Sequence, residues 1–247
     1  MTLLWVALVG AGIGLLGGMF GKGGSAVATP LLHAFGVPAI IAVASPLPAT
    51  IPSTLSASWA YWREDFVDWR LVRWSIAFGI PATIAGAVAT RWIDGGALVK
   101  VTDVVLVGLG ARFAVPQRKR PTRRGDAPRQ HPAALAAVAT VVGVASGLLA
   151  NSGGFLLAPL YVAVLRRPIK VAFASSLAVA SVLAVPGTIV HVALGHIDWS
   201  VVAVLAVTSV PLSFAGARLA LRTDPAHLER IYGIALGVLG VAFLIAG

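Results

Sequence analysis

Residues 14–32 read GLLGGMFGKGGSAVATPLL and residues 143–160 read GVASGLLANSGGFLLAPL. In both, an apolar helical run meets a polar, glycine-rich break, GKGGS in the first and NSGG in the second, and then resumes for only about a dozen residues. Neighbouring glycines interrupt a helix because each adds backbone entropy and no packing surface. The breaks recur on a fixed step. Moving by 129 residues carries Gly18, Gly24 and Pro30 onto Gly147, Gly153 and Pro159. Moving by 130 carries Ser45, Leu47, Asp68, Trp69, Pro81, Gly86 and Asp94 onto Ser175, Leu177, Asp198, Trp199, Pro211, Gly216 and Asp224. The two halves are copies, and a duplicated apolar chain is typical of secondary transporters, whose substrate lies where the repeats meet.

Composition agrees. Of the 247 residues, 58% are hydrophobic and 11% charged, and the mean hydropathy is +0.90. No soluble domain of this size could keep that apolar content off its surface, so the chain reads as an all-α integral membrane protein with the lipid bilayer as its solvent. The net charge of +10 would suggest nucleic acid in a soluble protein. Here the cations sit in short loops, with no basic stripe interleaved with aromatics, and nucleic-acid binding is excluded. Cysteine is absent, which rules out disulfides and thiolate sites. The start MTLLWVALVG lacks a basic leader, so residues 3 to 20 read as part of the mature chain.

Each half holds five apolar segments, near 3–20, 25–35, 39–61, 71–91 and 97–115, then 132–150, 154–165, 169–193, 199–221 and 227–246. The third, fourth and fifth of each are long enough to span; the second is too short to cross easily. Between the halves, PQRKRPTRRGDAPRQ is a solvated basic linker. The organisation read from this is a first transmembrane repeat at 1–115, a linker at 116–131 and a second repeat at 132–247. If each Gly-broken pair returns to its starting side, the halves are inverted, and 16 of the 19 Lys and Arg face the linker's side. If each pair crosses once, the halves are parallel and the tally falls to 10 against 8. The positive-inside rule selects inverted repeats with a cytoplasmic linker and periplasmic termini. Charge counting does not separate a re-entrant hairpin from two short crossings.

The two glycine-broken runs, each followed by an A-S-x-L helix and an aspartate-tryptophan loop, resemble the sulfite exporter TauE/SafE family over nearly the whole chain outside the linker. That resemblance implies a bacterial inner-membrane carrier for sulfite, sulfonates or other small organic anions, with export as the direction. The chain departs from the family's uninterrupted triple glycine: Lys22 and Ser25 flank Gly23 and Gly24, and Asn151 and Ser152 precede Gly153 and Gly154. These changes leave the anion's identity open.

A broken helix at membrane depth leaves backbone N–H groups without intrahelical partners, which is tolerable where the break is buried in protein or lines a polar cavity. Helices restarting at Ser25 and Gly154 would aim N–H groups and positive dipole ends at a shared site, suiting an anion. The candidate substrate-binding residues are Lys22, Gly23, Gly24, Ser25, Asn151, Ser152, Gly153 and Gly154, joined by the recurring Ser45 and Ser175. A cation at membrane depth costs about 3 kcal/mol, so Lys22 either contacts the substrate or snorkels to an interface. Ser45 and Ser175 either donate to an oxyanion or bond at helix crossings. Pro30 and Pro159 are expected in the first turns of the restarted helices, and Pro46, Pro48 and Pro52 predict a kinked third helix. Asp68 and Asp198 read as helix caps beside interfacial tryptophans, and Asp103 as a local partner of Lys100. His33, His191 and His196 lack metal-ligand spacing, with His191 a minor candidate for carrying a proton. No nucleophile, catalytic dyad, metal cluster or cofactor motif is legible. The expectation is therefore a carrier, not an enzyme, without cofactor or metal, with a membrane-embedded enzyme or accessory subunit as the alternative from another class; a homodimer is compatible with the sequence.

Overall fold

The computed structural model describes residues 3–21, 25–89, 131–148 and 154–246. Among them every regular element is helical: α1 Leu3–Phe20, α2 Ser25–Ala34, α3 Ala39–Ala44, α4 Pro46–Trp62, α5 Trp69–Ala89, α6 Pro132–Leu148, α7 Gly154–Ala163, α8 Ile169–Ala193, α9 Trp199–Arg222 and α10 Pro225–Ala246. Four spans, Leu3–Phe20, Ile40–Trp62, Ile169–Ala193 and Trp199–Arg222, are long and apolar enough to cross a bilayer. Their outward faces carry Leu4, Trp59, Val207 and Ile189, each at least half exposed; such a surface is stable in lipid and ruinous in water. The fifth segment of the first half and the linker lie outside the described residues.

The short second segments form α2 and α7, as the breaks predict. Pro30 and Pro159 are each the sixth residue of their helix, α2 and α7, so both fall in the second turn and not the first. The third segment of the first half is divided at Ser45, between Ala44 and Pro46. Pro46 marks the division by having no N–H to donate back into the ladder, while Ser45 itself keeps helical geometry at φ −66°, ψ −28°. Its counterpart α8 is continuous over 25 residues, with Pro186 inside.

Packing is exchanged between the halves. The first helix of the first half, α1, lies along α9 of the second, and α5 of the first lies along α6 of the second; α4 and α8 meet in the middle. Both crossings depend on the same small residues. A Cβ on Gly14 would fall 2.6 Å from Ser209 Cα, and a Cβ on Gly143 would fall 2.6 Å from Gly79 O. Gly143 and Gly79 are one repeat step from Gly14 and Ser209. Gly216 likewise sits against the Leu15 carbonyl and Gly86 against that of Val144. Without a hydrophobic effect between helices in lipid, such close backbone approach is what lets dispersion hold a crossing.

The core repeats too. One buried cluster contains Val6, Val9, Ile13, Leu32, Val201 and Leu205. Their partners in the other cluster are Leu135, Val138, Val142, Tyr161 and Leu71, with Ser75 in place of Leu205. The substitution is paired: Ser75 and Tyr161 hydrogen-bond through their hydroxyls, where the other half buries two leucines.

Candidate functional site

Of the residues singled out from the breaks, Lys22, Gly23, Gly24, Asn151, Ser152 and Gly153 lie outside the described residues. Ser25 and Gly154 begin α2 and α7. The approach to the first break is visible. Gly21 takes φ +67° with Phe173 Cα against it, so a Cβ there would clash with the α8 backbone. Its carbonyl accepts a bond from Ser176 Oγ at 2.8 Å. The GKGGS break is thereby moored to α8, the helix at the centre of the molecule.

Ser45 and Ser175 are fully buried and make one reciprocal contact. Asp198 N–H donates to Ser45 Oγ at 3.1 Å, and Asp68 N–H donates to Ser175 Oγ at 3.1 Å. Each serine crosses to the other half and accepts from the residue that caps the following helix. The aspartates cap as predicted: Asp68 Oδ1 accepts from Arg70 N and Leu71 N, and Asp198 Oδ1 from Ser200 N and Val201 N. The Ser200 hydroxyl, followed by those backbone donors, holds the Asp198 carboxyl below its ordinary range. The two serines thus link the repeats.

Asp68 has a further partner that the sequence did not disclose. Arg167 Nη2 lies 3.4 Å from Asp68 Oδ2, with side-chain exposures of 9% and 8%. By sequence Arg167 is one more loop cation, but it is buried. One step earlier stands Val37, so the ion pair exists in one half alone. Lys170, in the first turn of α8, donates to the Leu221 carbonyl at 2.7 Å, a favourable place for a cation at the C-terminal end of α9.

Between the halves is a cavity of about 140 Å³. It is bounded by Leu47 of α4, Thr83 of α5, Ser146 and Gly147 of α6, and Leu183 and His191 of α8. Gly147 stands four residues before Asn151 in the sequence. Thr83 is buried and its Oγ1 has no hydrogen-bond partner. Its counterpart Ser213 does bond, to Ser53 O at 2.7 Å and Val210 O at 2.9 Å. His191 Nδ1 lies 3.3 Å from His196 Nδ1. The space equivalent to the cavity in the other half is filled by Tyr61, fully buried, whose hydroxyl donates to Gly18 O at 3.3 Å and Met19 O at 3.4 Å. Sequence reasoning noted His191 but missed Thr83 and Tyr61; the latter was detectable as the residue one step from His191.

A duplicated helical membrane protein whose halves exchange packing partners and leave a polar-edged cavity between them belongs, as a class, with membrane transporters. The profile of the Sulfite exporter TauE/SafE family matches residues 6–243. The chain belongs to that family. It is 26% identical to the "Probable membrane transporter protein YjnA" of Bacillus subtilis (strain 168), over 97% of this chain and 98% of that protein. It is 24% identical to "Probable membrane transporter protein MJ0441" of Methanocaldococcus jannaschii, over 99% and 96%. It is also 28% identical to a "Probable membrane transporter protein" of Xylella fastidiosa (strain 9a5c), over 92% and 87%. No solved structure matches significantly. The protein is a membrane transporter, not an enzyme.

Proposed function

We propose that the protein is a secondary carrier that exports a small anion, such as sulfite or an organosulfonate, across the bacterial inner membrane by alternating access between two inverted repeats, 1–115 and 132–247. The carrying observation is the exchanged packing of the halves, α1 with α9 and α5 with α6, together with unequal filling of equivalent places: Tyr61 closes one and the 140 Å³ cavity occupies the other. Two copies of one unit in different packing states are what an alternating-access carrier needs, since exchanging their states moves the opening from one side to the other. With the 116–131 linker cytoplasmic and the termini periplasmic, the C-terminal end of α8 and its cavity face outward, and Tyr61 seals the cytoplasmic approach.

The anion would bind where the breaks meet, with Lys22 supplying charge and Ser25, Asn151, Ser152 and the glycine N–H groups supplying donors. The apolar lining at Leu47, Ile84 and Leu183 favours a second reading, a carrier for small carboxylates or other organic anions. Proteoliposome transport of sulfite, thiosulfate, ethanesulfonate and acetate tests both. Saturable flux of at least one is expected, and Lys22→Met should weaken its binding about 10- to 150-fold, the loss of a charge-assisted hydrogen bond. Flux of none, or labelling of a linker cysteine from the periplasm, would overturn this reading.

A further inference from the structure

The turn that ends α4 and the turn that ends α8 have the same backbone and different chemistry. After α4, Asp65 takes φ 58°, its N–H donates to Trp62 O at 3.0 Å, and Phe66 N–H donates to Tyr61 O at 3.1 Å. After α8, Gly195 takes φ +69°, its N–H donates to Val192 O at 3.1 Å, and His196 N–H donates to His191 O at 3.0 Å. This double closure of a helix end usually clamps an apolar pair at its first and last positions. The first half conforms, with Tyr61 and Phe66. The second half puts two imidazoles there, Nδ1 to Nδ1 at 3.3 Å, and replaces the filled space around Tyr61 with the cavity.

Two neutral imidazoles at this distance share one hydrogen, one Nδ1 donating and the other accepting. A first added proton can enter at the donor ring's Nε2 without breaking that bond, and makes it charge-assisted. A second would put hydrogen on both Nδ1 atoms and force them apart. The pair is therefore built to take up one proton. The groups facing His191 are Leu47 from α4, Thr83 and Ile84 from α5, Ser146 and Gly147 from α6, and His196 from the turn. Among the described residues lining the cavity none is an acid, so a bound anion is a fitting counter-charge. Thr83 Oγ1, buried and without a partner, supplies a donor at the same place.

We propose that the His191–His196 pair is the proton-binding group of this carrier, and that the cavity beside it seats the head group of a small carboxylate or sulfonate whose charge that proton balances. This rests on the anion-carrier reading and adds a second seat, distinct from the break site, at which anion and proton bind together. The test is calorimetric titration of the full chain in nanodiscs with ethanesulfonate and then acetate, from pH 5.5 to 8.5, in buffers of different ionisation enthalpy. Ethanesulfonate has no titratable proton in this range, so any uptake belongs to the protein. The expected result is about one proton taken up per anion above the pair's midpoint, with affinity falling about tenfold per pH unit there. His191→Gln should abolish both effects, and His196→Gln should reduce uptake well below one. His191→Tyr, which restores the residue of the other half, should fill the cavity and prevent binding while the protein still elutes as a single species. Anion binding without proton uptake, or the same pH slope in a folded His191→Gln or His196→Gln protein, overturns the proton assignment and leaves the carrier reading standing. Binding of neither probe, together with no flux in the proteoliposome panel, overturns both.

Discussion

Replacing Arg167 with leucine would leave the Asp68 carboxylate buried beneath a helix start with its cation gone. Breaking a buried pair by removing one partner costs about 3–5 kcal/mol. The lower end applies, because contact is through a single Nη2–Oδ2 approach of 3.4 Å and Arg167 Nε is itself without a hydrogen-bond partner. For a chain of this size about 1 kcal/mol moves a melting midpoint by about 2–4 °C, so Arg167→Leu should lower it by about 6–12 °C. Asp68→Asn strands the arginine, weakens the cap of α5 and should cost as much. The informative protein is Asp68→Asn/Arg167→Val, in which neither charge is left alone and position 167 has the residue found at Val37. Its loss should be clearly smaller than the sum of the singles, giving a coupling of about 2 kcal/mol or more. Tryptophan fluorescence during heating in detergent reports all three variants. A single Arg167→Leu change that shifts the midpoint by under 2 °C, or a double variant that is strictly additive, would refute the claim that the pair acts as a buried unit.

Ser175→Ala should cost about 1–3 kcal/mol, because it strips the buried Asp68 N–H of its acceptor, and Ser45→Ala less, because the Asp198 N–H is only part-buried and water can replace the hydroxyl; thermal melts in which Ser45→Ala is the more damaging would contradict this. Gly14→Ala should destabilise by about 1–3 kcal/mol, since its Cβ meets Ser209 backbone at 2.6 Å. Gly12→Ala, whose Cβ meets nothing within 4 Å, should instead raise the midpoint slightly, as alanine is the better helix former. If both glycines respond alike, the crossing does not depend on close approach. Asp198 has a folded-state pKa below its unfolded value, so its contribution is present above about pH 4 and is lost as pH falls through the folded value. Melting midpoints measured from pH 6 to pH 3 should drop less steeply in Asp198→Asn than in the parent; an identical slope would remove Asp198 from the acid response.

The duplication, the short broken helices and the aspartate caps were legible because each is written in local residue types at fixed spacing. Ser45 shows where this stops. Its recurrence as Ser175 was visible, but recurrence alone does not tell a substrate donor from a structural link, and its partner is the N–H of Asp198, 153 residues away. Arg167 misled for a related reason: a loop cation and a buried cation look the same until the position of Asp68 is known. The cavity was illegible because its volume depends on how four helices pack, and no single residue encodes it.

Comparison of the halves recovers part of what the single sequence hides. Where the copies agree, at Gly14 and Gly143, Gly86 and Gly216, Ser45 and Ser175, the shared residue sits at a crossing or a link that both halves require. Where they disagree, packing alone does not explain the choice, since the other half fills the equivalent place with a hydrophobic residue: Val37 for Arg167, Leu32 for Tyr161, Leu205 for Ser75, Phe66 for His196. A two-fold scaffold would be satisfied by apolar residues at all four. Polar groups there cost desolvation unless they are paired, and three of the four are paired inside the protein, Arg167 with Asp68 and Tyr161 with Ser75. The fourth, His196, pairs with an imidazole that borders a cavity. Among these departures from the repeat it is the one beside a cavity, where the proposed anion would balance its charge.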